Sequence, residues 1–287
     1  MAETSPSVVF DDKQAWGAYR PTGLASLVLS LCHALPAGKH VYYKLGQTLR
    51  GLLKRGAPRM YDVEVESLKL RLASQGNYSE RRMLTLPQYY DVQERDWLCS
   101  KLAGGGSFLD VGGNAGLFSL SIGGRLREKI DVYTVEPDPQ MYQRMLFNAS
   151  QNQLSIHLAP VALSDFDGEG VLELSLQQRG ENSLRTEGAA ESNGKGEIIQ
   201  VPVTTLLHQC QQWGLKQITA MKIDVEGHED RILSHFMANA ERSLWPRAIV
   251  MEHVHGAGCI VDRLLQDHGY VVEGEARRNL MLSLPKS

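Results

Sequence analysis

Cysteine is scarce in this 287-residue chain and never paired. Cys32, Cys99, Cys210 and Cys259 are widely scattered and form no C-x-x-C motif. That spacing excludes a disulfide framework and a zinc knuckle, and a reducing cytoplasm is the expected compartment. Long apolar runs are missing as well. The run Leu24–Leu35 has 12 residues, whereas a membrane-crossing helix needs about 20. No basic stretch opens the chain, and Asp11 and Asp12 precede the first apolar run, so no secretory leader is expected. The net charge of -3 excludes a global attraction to nucleic acid or to anionic membrane. Apolar content of 43% and charged content of 22% are those of an ordinary globular protein large enough for one α/β core and an extension.

Glycine, by contrast, is concentrated where it matters most. Phe108-Leu-Asp-Val-Gly-Gly-Asn-Ala-Gly116 reads as a buried strand that ends in an acid and a glycine turn, with a helix starting at Leu117. Open α/β sheets cradle an adenosine-bearing cofactor at such a first crossover. A dinucleotide fingerprint needs glycine at the first, third and sixth loop positions. Counting from Gly112, the third is Asn114 and the sixth is Leu117, so that fingerprint fails. An acid directly before the loop suits a cationic cofactor. S-adenosylmethionine carries an ammonium and a sulfonium, and Asp110 would attract its positive end. Val132–Val135 is a second strand and ends in Glu136-Pro137, with Glu136 lying 26 positions after Asp110. A carboxylate at that strand tip is placed to accept both ribose hydroxyls. The competing readings are a nucleotide-dependent oxidoreductase on a related fold and a non-catalytic cofactor-binding protein.

Four blocks carry a resemblance: Asp110–Gly116, Val135-Glu-Pro137, Ala162-Leu-Ser-Asp165 and, the most specific, Lys222-Ile-Asp-Val-Glu-Gly-His-Glu229. They resemble the FkbM family of S-adenosylmethionine-dependent methyltransferases over about residues 75 to 285. The resemblance implies a class I methyltransferase fold, Rossmann-like and mostly parallel, with a C-terminal antiparallel hairpin. It also implies O-methylation of a hydroxyl on a glycan or secondary metabolite. One position departs from the pattern: similar sequences often carry an acid after Thr-Thr-Leu, and here Leu207 stands there.

Within that frame the cofactor-binding candidates are Asp110, Gly112, Gly113, Asn114, Gly116 and Glu136. Ser164 and Asp165 join them at the end of a third strand, Ile156–Ala162, where related folds place the adenine. The catalytic candidates cluster at the ends of the fourth strand (Ile218–Val225) and the fifth (Ala248–Met251). Lys222 and Asp224 are two residues apart and project from one side of the strand, so they can pair. Glu226, Glu229 and His253 complete the set, and His228 and His255 are further candidate general bases. Asp224 is the residue expected to orient or deprotonate the acceptor. No metal is expected, the rival being a site built from His253, His255, Asp224 or Glu226. N-methyltransferases more often show an Asn/Asp-Pro-Pro-aromatic block at the fourth strand, and none is present.

Residues 1–60 read as a helical extension and 61–287 as the methyltransferase domain. Leu24, Leu27, Val28, Leu31 and Leu35 follow helical spacing, and Val41, Leu45, Leu49 and Leu52 continue a second stripe. Lys39, Lys44, Arg50, Lys54, Arg55 and Arg59 make six cations without an intervening acid. They are either the solvated faces of a packed helix pair or a contact for an anionic lipid surface, carrier or acceptor. Alternation over Val63–Val65 and Leu68–Leu72 predicts a hairpin with one charged face. Glu80, Arg81 and Tyr90 are candidate lid residues, a structural role being the equal alternative. Met141, Met145 and Leu146 are expected to be buried on a helix from Gln140 to Asn152. The polar stretch Gln177–Gly196 has the length of a loop beside a substrate entrance, and Glu181, Asn182 and Ser183 lie on it.

Overall fold

Phe108–Val111, Val132–Val135, Ala220–Ile223 and Ala248–Met251 are short runs with few polar side chains. Such runs are stable where a sheet is covered on both faces. A computed structural model of the protein describes residues 10–53, 59–175, 182–185, 196–252 and 258–285. Helices α1 (Gly23–His33) and α2 (His40–Leu53) come first, followed by the hairpin β1 (Met60–Val65) and β2 (Leu68–Ala73) and by α3 (Tyr78–Thr85) and α4 (Val92–Lys101). An alternating stretch follows: β3 (Gly106–Val111), α5 (Leu117–Leu126), β4 (Ile130–Val135), α6 (Pro139–Gln151) and β5 (Ile156–Ala159). Next are β6 (Ala162–Ser164), β7 (Gly168–Ser175), β8 (Ser183–Arg185), β9 (Gly196–Thr205) and α7 (Leu206–Gln212). The chain closes with β10 (Ala220–Ile223), α8 (Glu229–Asn239), β11 (Ala248–Glu252), α9 (Gly258–Gln266), β12 (Val271–Ala276) and β13 (Asn279–Ser283).

The central sheet has the order β12-β13-β11-β10-β3-β4-β5. Strands β11, β10, β3, β4 and β5 are parallel, whereas β13 runs antiparallel to both β11 and β12. The antiparallel C-terminal hairpin is the one expected from the sequence. Side chains alternate across each strand, so neighbouring residues join different cores. Phe108, Val132, Ala220 and Val250 pack on one face with Leu70, Met83 and Leu120. Leu109, Val111, Met221, Ile223 and Ile249 pack on the other with Leu206 and Phe236. Chain order reverses between β3 and β10, and a cleft opens there at the carboxyl ends.

Three expectations need correction. The expected third strand is broken: β5 ends at Ala159, Pro160 supplies no N–H to a ladder, and β6 pairs with β9 instead. That pairing starts a separate four-stranded sheet, β6-β9-β7-β8; Val171–Leu176 and Ile198–Val203 read as strands in the sequence, but not as a second sheet. Leu146 is 44% exposed, because the inner face of α6 is set by Met141, Met145, Asn148 and Ala149 at helical spacing. The hairpin's charged face is not left to solvent either. Asp62 and Arg71 are buried and face each other across the strands.

That pair fastens the N-terminal segment. Arg71 donates from Nε to Asp62 Oδ1 at 2.7 Å, and from Nη1 and Nη2 to the carbonyls of Asp11, Gln14 and Ala15 at 2.6–2.8 Å. Asp62 Oδ2 accepts the N–H groups of Gly17 and Tyr19 at 2.7 and 3.0 Å. The guanidinium lies between the rings of Tyr19 and Phe147. On the free edge of β2, two asparagines four residues apart, one in α6 and one capping its C-terminus, stand in for a strand. Asn148 Oδ1 accepts from the Arg71 N–H at 2.7 Å. Asn152 accepts from the Lys69 N–H and donates to its carbonyl, both at 2.8 Å. Side-chain amides have the donor and acceptor that a peptide edge requires.

Arg71→Met removes one partner of a buried ion pair and releases the segment 11–19 together. The expected loss in urea denaturation is about 3–5 kcal/mol. A loss below about 1 kcal/mol, the scale of an exposed pair, would show that the strap is not held this way.

Candidate functional site

The cleft is organised by a buried lysine. Lys222 on β10 stands beside Asp110 on β3 in the parallel register. Its Nζ donates to the Gly112 carbonyl at 3.1 Å and meets Asp224 Oδ2 at 3.3 Å and Asp110 Oδ1 at 3.8 Å. Burial opposes the charge, but Asp224 and Asp110 outweigh it and hold the ammonium above its ordinary range. Asp110 is fully buried, and its Oδ2 accepts a 2.7 Å bond from Ser119, whose hydroxyl also meets Thr134. The ring of Phe118 lies 5.6 Å from the ammonium.

The turn that follows β3 has no room for side chains. Gly112 adopts φ +75°, and a Cβ there would lie 2.0 Å from the Asp224 carbonyl oxygen. Gly116, at φ +77°, starts α5, and a Cβ would lie 2.3 Å from Met145 Cγ. Between them Asn114 is left-handed, with its Oδ1 accepting from Asn77 Nδ2 and the Ala115 N–H at 2.7 Å each. Glu136, at the tip of β4, closes the turn. Its Oε2 accepts the Asn114 N–H at 2.7 Å and its Oε1 the Asp138 N–H at 2.8 Å. Burial pushes the Glu136 carboxyl up to about 7, against the pull of those two amides.

One cavity spans these groups. Gly112, Gly113, Asn114 and Glu136 line one side, and Lys222, Asp224, Glu226 and His228 another. Ser79, Tyr90 and Asp91 reach it from the segment before the sheet. Ala162, Leu163, Leu172, Asn182 and Leu184 come from the second sheet and its connections and form an outer wall. His228 Nε2 lies 3.0 Å from the Ser164 hydroxyl, and burial lowers its pKa below the ordinary 6.5, so it is neutral near pH 7.

The remaining sequence candidates fall outside the lining. Asp110 sits behind the turn, against Lys222 and Ser119. Ser164 is buried and bonds Asp165 at 3.0 Å, and Asp165 pairs with Arg231 at 3.2 Å. Their neighbours Ala162 and Leu163 face the cavity in their place. Glu229 is buried and accepts the Val225 N–H at 2.8 Å, which ties down the turn after β10. Glu80 is no lid: it is fully buried and paired with Arg144, and Asn77 caps its N–H. Tyr90 does line the cavity, with its hydroxyl pKa raised by burial. His253, His255 and Glu181 lie outside the described residues. Among the described residues no group of three or more His, Cys, Asp or Glu could hold a metal ion. Phe118, Leu172 and Leu184 escaped sequence reasoning. Phe118 was recoverable as the second residue of the helix after the turn, whereas the two leucines depend on the second sheet.

The strand order, the glycine turn after β3 and the acid at the tip of β4 define a class I methyltransferase fold. The methyltransferase FkbM domain matches residues 110–272, more than half of the chain. The chain belongs to that family: it is a methyltransferase, and its cofactor is S-adenosylmethionine. Structural similarity is broad and distant. The precorrin-6y C5,15-methyltransferase of Geobacter metallireducens is 13% identical, with 66% of this chain and 85% of that one covered at a TM-score of 0.38. A putative O-methyltransferase from Klebsiella pneumoniae is 11% identical over 68% and 80% of the two chains, at 0.42. The tRNA (uracil-54, C5)-methyltransferase of Pyrococcus abyssi is 11% identical over 78% of this chain and only 42% of its own, at 0.42. No curated protein matches the chain. Among the described residues no helix is long and apolar enough to cross a membrane.

Gly112→Ala places a methyl group against backbone that cannot rotate away, so the turn and Asp224 must separate. Calorimetric affinity for S-adenosylmethionine should fall by about tenfold or more, the equivalent of about 1.4 kcal/mol. Wild-type affinity in this variant would show that the turn is not part of the cofactor site.

Proposed function

We propose that the protein transfers a methyl group from S-adenosylmethionine to a hydroxyl of a small molecule or glycan. One observation supports this above the others: Glu136 and the Lys222–Asp224 pair face a single cavity at the point where strand order reverses. The residues present fit the cofactor. Each Glu136 oxygen accepts one amide and keeps a lone pair for one of two vicinal hydroxyls. Pro137, Val161, Ala162 and Leu163 offer an apolar wall for an adenine face. Gly112, Gly113 and Asn114 let the chain approach the amino-acid end closely, and Asp110 acts from behind by fixing Lys222.

When bound, the cofactor supplies an electrophilic methyl group on a sulfonium. The protein's task is then alignment and removal of one proton. In this reading Asp224 accepts the hydrogen bond of the acceptor hydroxyl, and Lys222 holds Asp224 in place. His228, neutral and on the same cavity wall, takes the proton, while Glu226 borders the acceptor and Glu229 positions the turn. His253 belongs to the same strand end in sequence. We assign residues 61–287 to the catalytic unit and residues 1–60 to an extension that supports it. The cytoplasm suits a chain with unpaired cysteines. Nucleic acid is not the acceptor in this reading, since the net charge is -3.

Two measurements test these roles. Asp224→Ala should lower turnover of isotope-labelled cofactor by about 10²- to 10⁴-fold and leave cofactor affinity within a few-fold. Normal turnover would remove Asp224 from the chemistry, and cofactor binding without turnover of any acceptor in the wild type would point to a binding protein. Glu136 gives a pH signature. Its carboxyl titrates near 7 and only the ionised form accepts both hydroxyls, so affinity should be greatest above that pH. It should weaken by up to about tenfold per unit below it. Glu136→Gln should flatten the profile, and an unchanged profile would dissociate Glu136 from the ribose.

A further inference from the structure

Among the described residues, all but one of the buried arginines come with a carboxylate. Arg71 meets Asp62, Arg95 meets Glu66, Arg144 meets Glu80 and Arg82 meets Asp91. Arg81 is the exception. It is only 9% exposed, its Nε is buried without a hydrogen-bond partner, and it forms no ion pair among the described residues. Its charged neighbour is another cation, Arg50 on α2, whose Nε and Nη1 are likewise buried without partners. The phenols of Tyr78 and Tyr43 also lie near it, with Arg81 Cζ 5.4 Å from the Tyr78 ring. Two adjacent guanidinium groups without an acid are costly unless an anion is supplied from outside. Gly46 lets α2 come this close, since a Cβ there would overlap Leu86 at 2.4 Å.

The position relative to the cavity gives this arrangement its meaning. Arg81 and Arg82 both lie against Tyr78. Arg82 lies also against Tyr90 and pairs with Asp91, and both of those line the cavity. Through Tyr78 and Arg82, Arg81 is therefore linked to the Tyr90–Asp91 edge of the cavity. We propose that Arg50 and Arg81 bind a phosphoryl group carried by the methyl acceptor. This rests on the hydroxyl-methylating reading above and narrows its substrate to a phosphorylated molecule. Phosphate offers three acceptor oxygens to planar donor forks and supplies the missing negative charge. Two sources share that chemistry. One is a soluble phosphate ester. The other is a lipid-borne phosphate, and α1 and α2 expose Leu24, Leu27, Leu31, Val41 and Leu45 beside the exposed Lys39 and Lys44.

The experiment uses the full chain and inorganic phosphate, titrated calorimetrically at constant ionic strength. Binding of S-adenosylmethionine is measured on the same samples. Saturable phosphate binding is expected in the wild type. It should weaken by about tenfold or more in Arg50→Gln and in Arg81→Gln, and less in Arg81→Lys, with cofactor affinity unchanged throughout. The half-buried Arg50 and the charge-conserving lysine keep the test open if Arg81→Gln does not fold. Parallel flotation uses phosphatidylcholine vesicles with and without phosphatidylglycerol. Association that needs the anionic lipid and is lost in Arg50→Gln assigns the phosphate to a lipid. Phosphate binding without vesicle association assigns it to a soluble ester. Absence of phosphate binding, or binding that both glutamine variants retain, overturns the site. Loss of the cofactor response alone overturns the methylation reading and leaves the phosphate site standing.

Discussion

A single ammonium group between two carboxylates holds the cleft together. Lys222 is buried, and without its charge Asp110 would be an uncompensated carboxylate in the middle of a parallel sheet. Its third contact is with the carbonyl of Gly112, the first residue of the turn. The lysine thus joins the end of β3 to the end of β10, the two strands between which chain order reverses. Besides the ladder and the apolar packing that join these two strands, the two halves of the cleft are connected by charge. This explains why the Lys-Ile-Asp block and the Asp-Val-Gly-Gly block, more than a hundred residues apart in sequence, make sense only as a pair.

The second sheet changes the character of that cleft. An open α/β sheet leaves the carboxyl ends of its strands facing solvent, and loops usually cover them. Here β6, β7, β8 and β9 place Ala162, Leu172 and Leu184 over the opening. Asn182 is fixed at the same wall, accepting the Ser175 N–H and donating to Asp138, which itself caps α6. In the hydroxyl methylation proposed above, an apolar wall held by hydrogen bonds at its edge would shield the site of proton transfer from water.

Much of this was legible because period-2 and period-3.6 patterns report burial directly. The central strands, the glycine turn and the acid at the tip of β4 followed from local residues, and the terminal hairpin from the family resemblance. The failures came where burial is decided by distant chain. Asp62 and Arg71 alternate with apolar residues as a solvated face does, yet residues 11–19 cover them. Glu80 looked like a mobile acid because nothing local reveals Arg144, although Asn77 three residues earlier marks a helix cap. Pro160 was visible and should have ended the third strand. The second sheet is built from pairings between β6, β7 and β9 that no short window contains. Ser164 and Asp165 do not line the cavity, whereas their neighbours Ala162 and Leu163 do.

The strap at residues 11–19 carries a consequence for how the chain is made. Its partners Asp62 and Arg71 lie more than forty residues further on, and the ring of Phe147 that backs Arg71 is later still. A ribosome releases the strap long before anything exists for it to bind. The strap is synthesised before its partners, so its contacts with Asp62 and Arg71 can close only after β1, β2 and α6 have emerged. Evolution of the strap is then constrained twice: by the final contacts with Arg71, and by the need to stay harmless in solution during the wait. Asp11, Asp12, Lys13 and Gln14, polar and turn-prone, meet the second demand in the same residues that supply carbonyls for the first.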